Sequence, residues 1–299
     1  MRILVSGTSG LVGSALVRRL EGEGHEAVRL VRHEPQPGAG EIFWNPKGES
    51  IDRAELEGLD AVVHLAGENI ATGKWTQAKK DLIRDSRVRG TRLIARALGR
   101  LNRPPSVWVS ASAIGFYGNR GADILTERSA VGRGYLAETC QEWEAATEQA
   151  RHKGIRVVLL RIGLVLTPQG GALAKLVPPF RLGLGGPLGS GRQYMSWITL
   201  EDLVGVMLHA IKTGSIQGPL NAVSPQPVMN KEFSRVLGRV LFRPALLPAP
   251  AFMLRLLLGE FADEILLAST RVKPARLEET AYRFQHPDLE EALRHLLTK

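Results

Sequence analysis

The chain has 299 residues, 44% of them hydrophobic and 23% charged, which suits one large soluble domain or a nucleotide-binding domain with a smaller lobe. No apolar run reaches the roughly 18–20 residues that cross a bilayer, the candidate Phe252–Leu258 being short and broken by Arg255. The N-terminus lacks signal-peptide features, so a cytoplasmic protein is expected, and the single Cys140 excludes an internal disulfide and a cysteine-cluster metal site.

The formal net charge of +9 raises the question of nucleic acid, but the 39 Lys and Arg are dispersed, with no basic block and no interleaved aromatics. A basic surface for a phosphorylated cofactor or an anionic substrate accounts for the excess, and nucleic acid and membrane are not expected partners. Cys140 lies among Glu138, Glu142 and Glu144, which hold a thiol protonated, and reads as an inert helix residue.

In chain order, nearly continuous Val/Ile/Leu runs mark strands at Arg2–Ser6, Ala27–Val31, Ala61–Leu65, Val107–Ser110 and Val157–Arg161. Amphipathic stretches at Leu11–Leu20, Arg87–Leu101 and Glu138–His152 alternate with them. That alternation predicts an α/β fold, a doubly wound parallel Rossmann sheet with a smaller, mostly helical C-terminal lobe. The boundary is expected near 165, with later segments to about 225 completing the sheet. Residues 166–299 form the substrate lobe, with a short C-terminal piece from about 245. Pro178–Gly191 reads as a long loop whose Phe180, Leu182 and Leu184 need burial, and helices are expected near Glu201–Lys212 and Lys231–Leu241. Trp75 reads as core.

Gly7-Thr8-Ser9-Gly10-Leu11-Val12-Gly13 follows the first strand and opens a helix. The three glycines serve a tight turn, close backbone approach to a pyrophosphate, and close packing of helix on sheet. The helix N-terminus then presents free N–H groups to phosphate. At the tip of the second strand, Val31-Arg32 stands where an NAD site would carry an acid for the ribose hydroxyls. A guanidinium suits a 2′-phosphate, so the expected cofactor is NADP(H). The alternative is that Arg32 is only a solvated strand-end charge.

Asp60-Ala-Val-Val-His64-Leu65-Ala66-Gly67-Glu68-Asn69, Ser110-Ala-Ser112-Ala-Ile-Gly-Phe-Tyr117-Gly118 and Gly189-Ser-Gly-Arg192-Gln193-Tyr-Met-Ser-Trp197-Ile-Thr-Leu-Glu-Asp202 complete the pattern. Together with the glycine run they resemble the extended short-chain dehydrogenase/reductases, in particular a nucleoside-diphosphate-sugar-epimerase-like family sometimes labelled cell-division-inhibitor homologue. The resemblance spans essentially the whole chain, including that family's short C-terminal domain in Pro248–Phe252 and Arg271–Leu289. It implies cofactor contacts from Gly7 to Gly13, at Val31 and Arg32, at Leu65, Ala66, Gly67 and Glu68, and at Arg87 and Val165.

Working members of that superfamily use a Ser, a Tyr-x-x-x-Lys pair and an Asn to move a proton while the cofactor carries hydride. Here Ser112 (or Ser110) matches the serine, and Tyr135-Leu-Ala-Glu-Thr139 matches the tyrosine but puts Thr139 for the lysine. Arg87 stands for the asparagine, adding a cation near the cofactor. Tyr117 is the alternative acid, or else a cleft wall. Phe180, Arg181, Arg192, Gln193 and Trp197 are the candidate contacts of a small, anionic or nucleotide-sugar-like substrate. Against this, Arg192 could instead pair with Glu201 or Asp202. His64, inside a buried strand, reads as a hydrogen-bonded core residue, and Glu68 and Asn69 could cap the next helix instead of facing the cofactor. No metal is expected, and a homodimer is left open. The preferred function is an NADP(H)-dependent oxidoreductase or epimerase-like enzyme. A redox-inert NADP(H) sensor is the second reading and a nucleic-acid-associated factor the third.

Overall fold

The computed structural model describes residues 1–298. Eight strands form the main sheet. They are β1 (Arg2–Ser6), β2 (Glu26–Val31), β3 (Glu41–Asn45), β4 (Ser50–Ile51), β5 (Ala61–His64), β6 (Val107–Ala113), β7 (Arg156–Ile162) and β8 (Gly218–Ala222), in the order β8-β7-β6-β5-β1-β2-β3-β4. β1 pairs in parallel with both β2 and β5, β5 with β6 and β2 with β3, while the short β4 turns back antiparallel on β3. The strands predicted from apolar runs are all present, within a residue or a few of their expected ends. The sheet is Rossmann-like and chain reversal occurs beside β1, where ligands lie in such folds.

Among the described residues ten α-helices accompany it, namely α1 (Leu11–Gly22), α2 (Gln77–Leu98), α3 (Tyr135–Ala145), α4 (Glu148–His152), α5 (Gly171–Arg181), α6 (Leu200–Lys212), α7 (Asn230–Val240), α8 (Ala251–Leu258), α9 (Ala275–Glu279) and α10 (Leu289–Leu297). α2 starts ten residues earlier than the apolar face suggested, because Thr76 caps it by accepting from the Lys79 amide. The helix expected over 138–152 begins at Tyr135 and is interrupted after Ala145. Among the described residues no helix is long and apolar enough to cross a membrane.

The chain forms two compact units, each discontinuous. The first comprises residues 1–112, 139–160 and 207–220, and its core joins Leu4, Val28, Val62, Ile94, Leu98 and Trp108 between sheet and helices. The second comprises residues 113–138, 161–206 and 221–299. Its core packs α5, α7 and α10 around Leu173, Trp197, Phe233, Leu237 and Leu293. Residues 113–138 group with the later chain, and 207–220, within the later segments expected to complete the sheet, group with the earlier one.

Two burial expectations fail. Phe180 is buried, but Leu182 and Leu184 are 74% and 60% exposed. The stretch also begins as helix, since α5 runs through Pro178 and Pro179 to Arg181. Trp75 is not core either. It lies half-buried ahead of α2, with its indole N–H donated to the Ile70 carbonyl at 2.8 Å.

Candidate functional site: the nucleotide cradle and its supports

In the first unit the glycine run forms a cradle that tolerates no side chains at two positions. Gly7 has φ +74°, and a Cβ there would lie 2.9 Å from the Ala66 nitrogen. A Cβ on Gly13 would lie 2.2 Å from the Gly7 carbonyl oxygen, which must be displaced to admit it. The Gly10 amide donates to the same carbonyl at 3.0 Å, closing the turn. Gly10 is also the N-cap of α1, with no side-chain cap and no acidic residue in the first turn. The first amides of α1 and the positive end of its dipole therefore face out at the loop, the arrangement that holds a pyrophosphate. Thr8, Ser9, Leu11 and Val12 form the part-exposed rim, and β2 delivers buried Val31 and exposed Arg32 beside it. Among the described residues neither a hydrogen bond nor an ion pair holds the Arg32 guanidinium.

The second wall is the loop after β5. Ser6 and His64 are paired across β1 and β5. The Ser6 hydroxyl accepts from the Leu65 and Ala66 amides at 3.1 and 3.2 Å and lies 2.6 Å from His64 Nδ1. With both acceptor positions used, its proton goes to Nδ1, which assigns the imidazole proton to Nε2. Burial holds the His64 pKa down to about 3, so the ring is neutral. His64 is thus the core histidine expected, yet it also orients the serine that shapes the loop. Sequence reading missed Ser6, although a small polar residue ending a buried strand signals such a brace.

Arg87 and Glu68 close this loop from below. Arg87 Nη1 donates to the Glu68 and Ile83 carbonyls, and its guanidinium sits 5.1 Å from the centroid of the Trp143 ring. Gly67 admits it, since a Cβ there would be 3.4 Å from the guanidinium carbon. The Glu68 carboxylate is engaged by Lys79 of α2, and its amide by Ser86 Oγ. Thr76, not Glu68 or Asn69, caps α2.

Of the residues matched to the superfamily's proton-transfer set, Tyr135 opens α3 half-buried, and Thr139 follows one turn later, buried and with no partner on its hydroxyl. Trp143 continues that face, its indole N–H donated to Thr91 at 2.8 Å. Ser112 is buried at the end of β6 and donates to Glu144 Oε1 at 2.7 Å. Sequence reading placed Glu144 only beside Cys140, not at this serine.

The second unit corrects several assignments. Tyr117 has no exposed surface, and its hydroxyl accepts from Arg161 at 3.0 Å and donates to Asn221 Oδ1 at 2.7 Å. Burial pushes its pKa up. It is a buried strut and neither a wall of the cleft nor an available acid. The Asn221 amide donates to Glu127, whose carboxyl burial likewise pushes up, and the Arg161 guanidinium covers the Phe116 ring at 3.4 Å. Trp197 is fully buried, donating to the Gln226 carbonyl at 3.0 Å, and Phe180 is core. Gln193 is buried too, bracing the Leu188 and Leu266 carbonyls, each at 3.0 Å. These three support the lobe from inside. Arg181 and Arg192 are exposed. Arg192 does not pair with Asp202, whose carboxylate instead receives the Gln285 and His286 amides, while Glu201 faces His295. Val165 lies in a short parallel ladder opposite Ile198.

The geometry around Gly7–Gly13 can be compared with known proteins. Residues 3–222 match the NAD dependent epimerase/dehydratase family, and residues 249–296 match a domain of unknown function, DUF1731. The chain belongs to the epimerase/dehydratase family. This epimerase-family chain is 41% identical over 297 residues to the epimerase family protein ML0860 of Mycobacterium leprae, covering 99% of the chain and 96% of the relative. It superposes on the crystal structure of human epimerase family protein SDR39U1 with NADPH at a TM-score of 0.91, with 33% identity and all of both chains covered. A nucleoside-diphosphate sugar epimerase from Corynebacterium glutamicum matches at TM-score 0.81 and 36% identity. That match covers 99% of the epimerase-family chain and 58% of the longer relative.

Proposed function

We propose that the chain is an NADP(H)-binding, epimerase-like oxidoreductase of the extended short-chain type, acting on a small substrate. The observation that carries this reading is the pairing of the side-chain-free cradle at Gly7–Gly13 with an unengaged Arg32 at the tip of β2. Pyrophosphate would rest on the first turn of α1, and a 2′-phosphate would meet the Arg32 guanidinium. The human relative crystallised with NADPH supports the choice of nucleotide. When bound, such a cofactor supplies or accepts the hydride.

Of the two tyrosines considered, Tyr135 remains the candidate proton carrier, because Tyr117 has both hydroxyl interactions satisfied inside the second unit. Thr139 supplies no charge to lower a phenol pKa. The guanidinium of Arg87 meets α3 two turns on from Tyr135, over Trp143. A second reading, a redox-inert NADP(H) sensor, is favoured by Thr139 itself and by the commitment of Ser112 to Glu144.

A panel of carbonyl compounds screened for NADPH oxidation separates the two. The enzyme reading predicts a carbonyl-dependent rate that Tyr135→Phe lowers by about a hundredfold, within the usual contribution of a proton-transferring side chain. A rate unchanged in Tyr135→Phe removes that residue as the acid. NADPH binding with no oxidation across the panel selects the sensor.

A further inference from the structure

Among the described residues one group of histidine and carboxylate side chains converges on a point. It consists of Glu201, His286 and His295 of the second unit, whose ligand atoms all lie within 4.8 Å of one another. Separate segments bring them together. Glu201 is in the first turn of α6, which Thr199 opens by accepting from the Asp202 amide at 3.1 Å. The Asp202 carboxylate accepts from the Gln285 and His286 amides at 2.7 and 3.0 Å, fixing the backbone of His286 against that turn. Asp288 then caps α10 by accepting from the Glu290 and Glu291 amides, and buried Leu289, Ala292 and Leu293 seat the helix that carries His295.

The spacing within the group is that of metal ligands rather than of a closed pair. His295 Nε2 lies 3.6 Å from Glu201 Oε1, too far for a hydrogen bond. The His286 and His295 rings stack with their centroids 4.3 Å apart and their planes at 28°. Protonating both would set two positive charges face to face, whereas two neutral imidazoles and a carboxylate form a donor set for a divalent cation. In a tetrahedral zinc site, bonds of about 2.0–2.2 Å hold the ligand atoms about 3.3–3.6 Å apart. We propose that Glu201, His286 and His295 bind a zinc ion, with water in the fourth position, and that the ion fastens α10 and the segment before it to the start of α6.

Two nitrogens and one oxygen select zinc over magnesium or calcium, which are held by oxygen ligands. The Asp202 carboxylate behind His286 adds local negative charge in a chain whose net charge is +9. Because the ligands come from different segments, the ion binds the folded lobe and not the unfolded chain, and so stabilises the fold. A histidine–glutamate contact alone does not make such a site. On α4, His152 Nε2 lies 3.6 Å from Glu148 Oε1, the same distance, but among the described residues no third donor joins them. That pair is the matched control.

The test is calorimetric titration of zinc chloride and, separately, magnesium chloride into the untagged, chelator-treated chain. It is repeated on Glu201→Ala, His286→Gln, His295→Gln and the control His152→Gln, with circular dichroism checking folding. The expected result is one zinc per chain with a Kd of about 1–10 µM, weakened about tenfold or more in each of the three site variants and unchanged in His152→Gln. Magnesium should give no uptake. Proton NMR of the wild type, which needs no variant to fold, should show zinc shifting the imidazole signals of two of the seven histidines. No zinc uptake up to about 1 mM would overturn the proposal, as would imidazole signals that zinc leaves unmoved. So would binding that survives any one of the three site variants, that is lost in His152→Gln, or that magnesium matches.

Discussion

His64 is enclosed by Trp44, Trp108 and Gly90, and burial lowers its pKa from 6.5 to about 3. Between those values the unfolded chain binds a proton that the folded chain refuses. Stability from this residue is therefore complete above pH 6.5 and is lost progressively as pH falls toward 3. His64→Gln keeps an acceptor for Ser6 and removes the titration. Urea unfolding at several pH values should then show a shallower acid limb than in the wild type. Glu127 has the opposite sign, since burial raises its folded pKa and one carboxylate oxygen has no partner. The stability that favours its protonated form is complete below pH 4.5 and is lost as pH rises through the raised folded value. Glu127→Gln keeps the acceptor for the Asn221 amide, so its thermal midpoint at pH 7.5 should exceed the wild-type value by roughly 2–4 °C. No midpoint increase would mean that the neighbouring Arg276 already compensates the charge.

At the scale of elements, the strand–turn–helix at Arg2–Gly22 was legible because steric needs write themselves as glycine. A Cβ at Gly13 meets the Gly7 carbonyl, whereas a Cβ at Gly22 in the same helix meets nothing within 4 Å. Gly13→Ala should lower both the thermal midpoint and NADPH affinity, the latter at least tenfold, and Gly22→Ala should change neither. Ser6→Ala should weaken NADPH binding without changing a nucleotide contact, because two amides of the opposite wall lose their acceptor. The candidate proton-transfer residues around α3 were only half legible. Spacing placed Tyr135 and Thr139 one turn apart, but the Ser112–Glu144 bond joins residues 32 positions apart. Tyr117 misled for a similar reason, as its partners Arg161 and Asn221 lie 44 and 104 residues away. Polar pairings at such separations leave no periodic trace in a single chain.

Over the whole molecule, alternation of apolar runs with amphipathic stretches conveyed the sheet, since strands buried on both faces must be continuously apolar. The weave of the two units was not visible, because composition does not record that 113–138 packs with the later chain. Nor was the exposure of Leu182, Leu184 and α8, as an apolar residue reads the same whether it fills a core or awaits a partner. Family membership rests on nearly the full length of the chain, while the choice of nucleotide rests on one exposed side chain. Calorimetric titration of NADP⁺ and NAD⁺ into the wild type and Arg32→Ala tests that choice most directly. The account predicts that NADP⁺ binds the wild type ten- to a hundredfold more tightly, the worth of a charge-assisted contact, and that Arg32→Ala removes the difference by weakening NADP⁺ alone. Equal affinities in the wild type, or a preference for NADP⁺ that persists in Arg32→Ala, would contradict it.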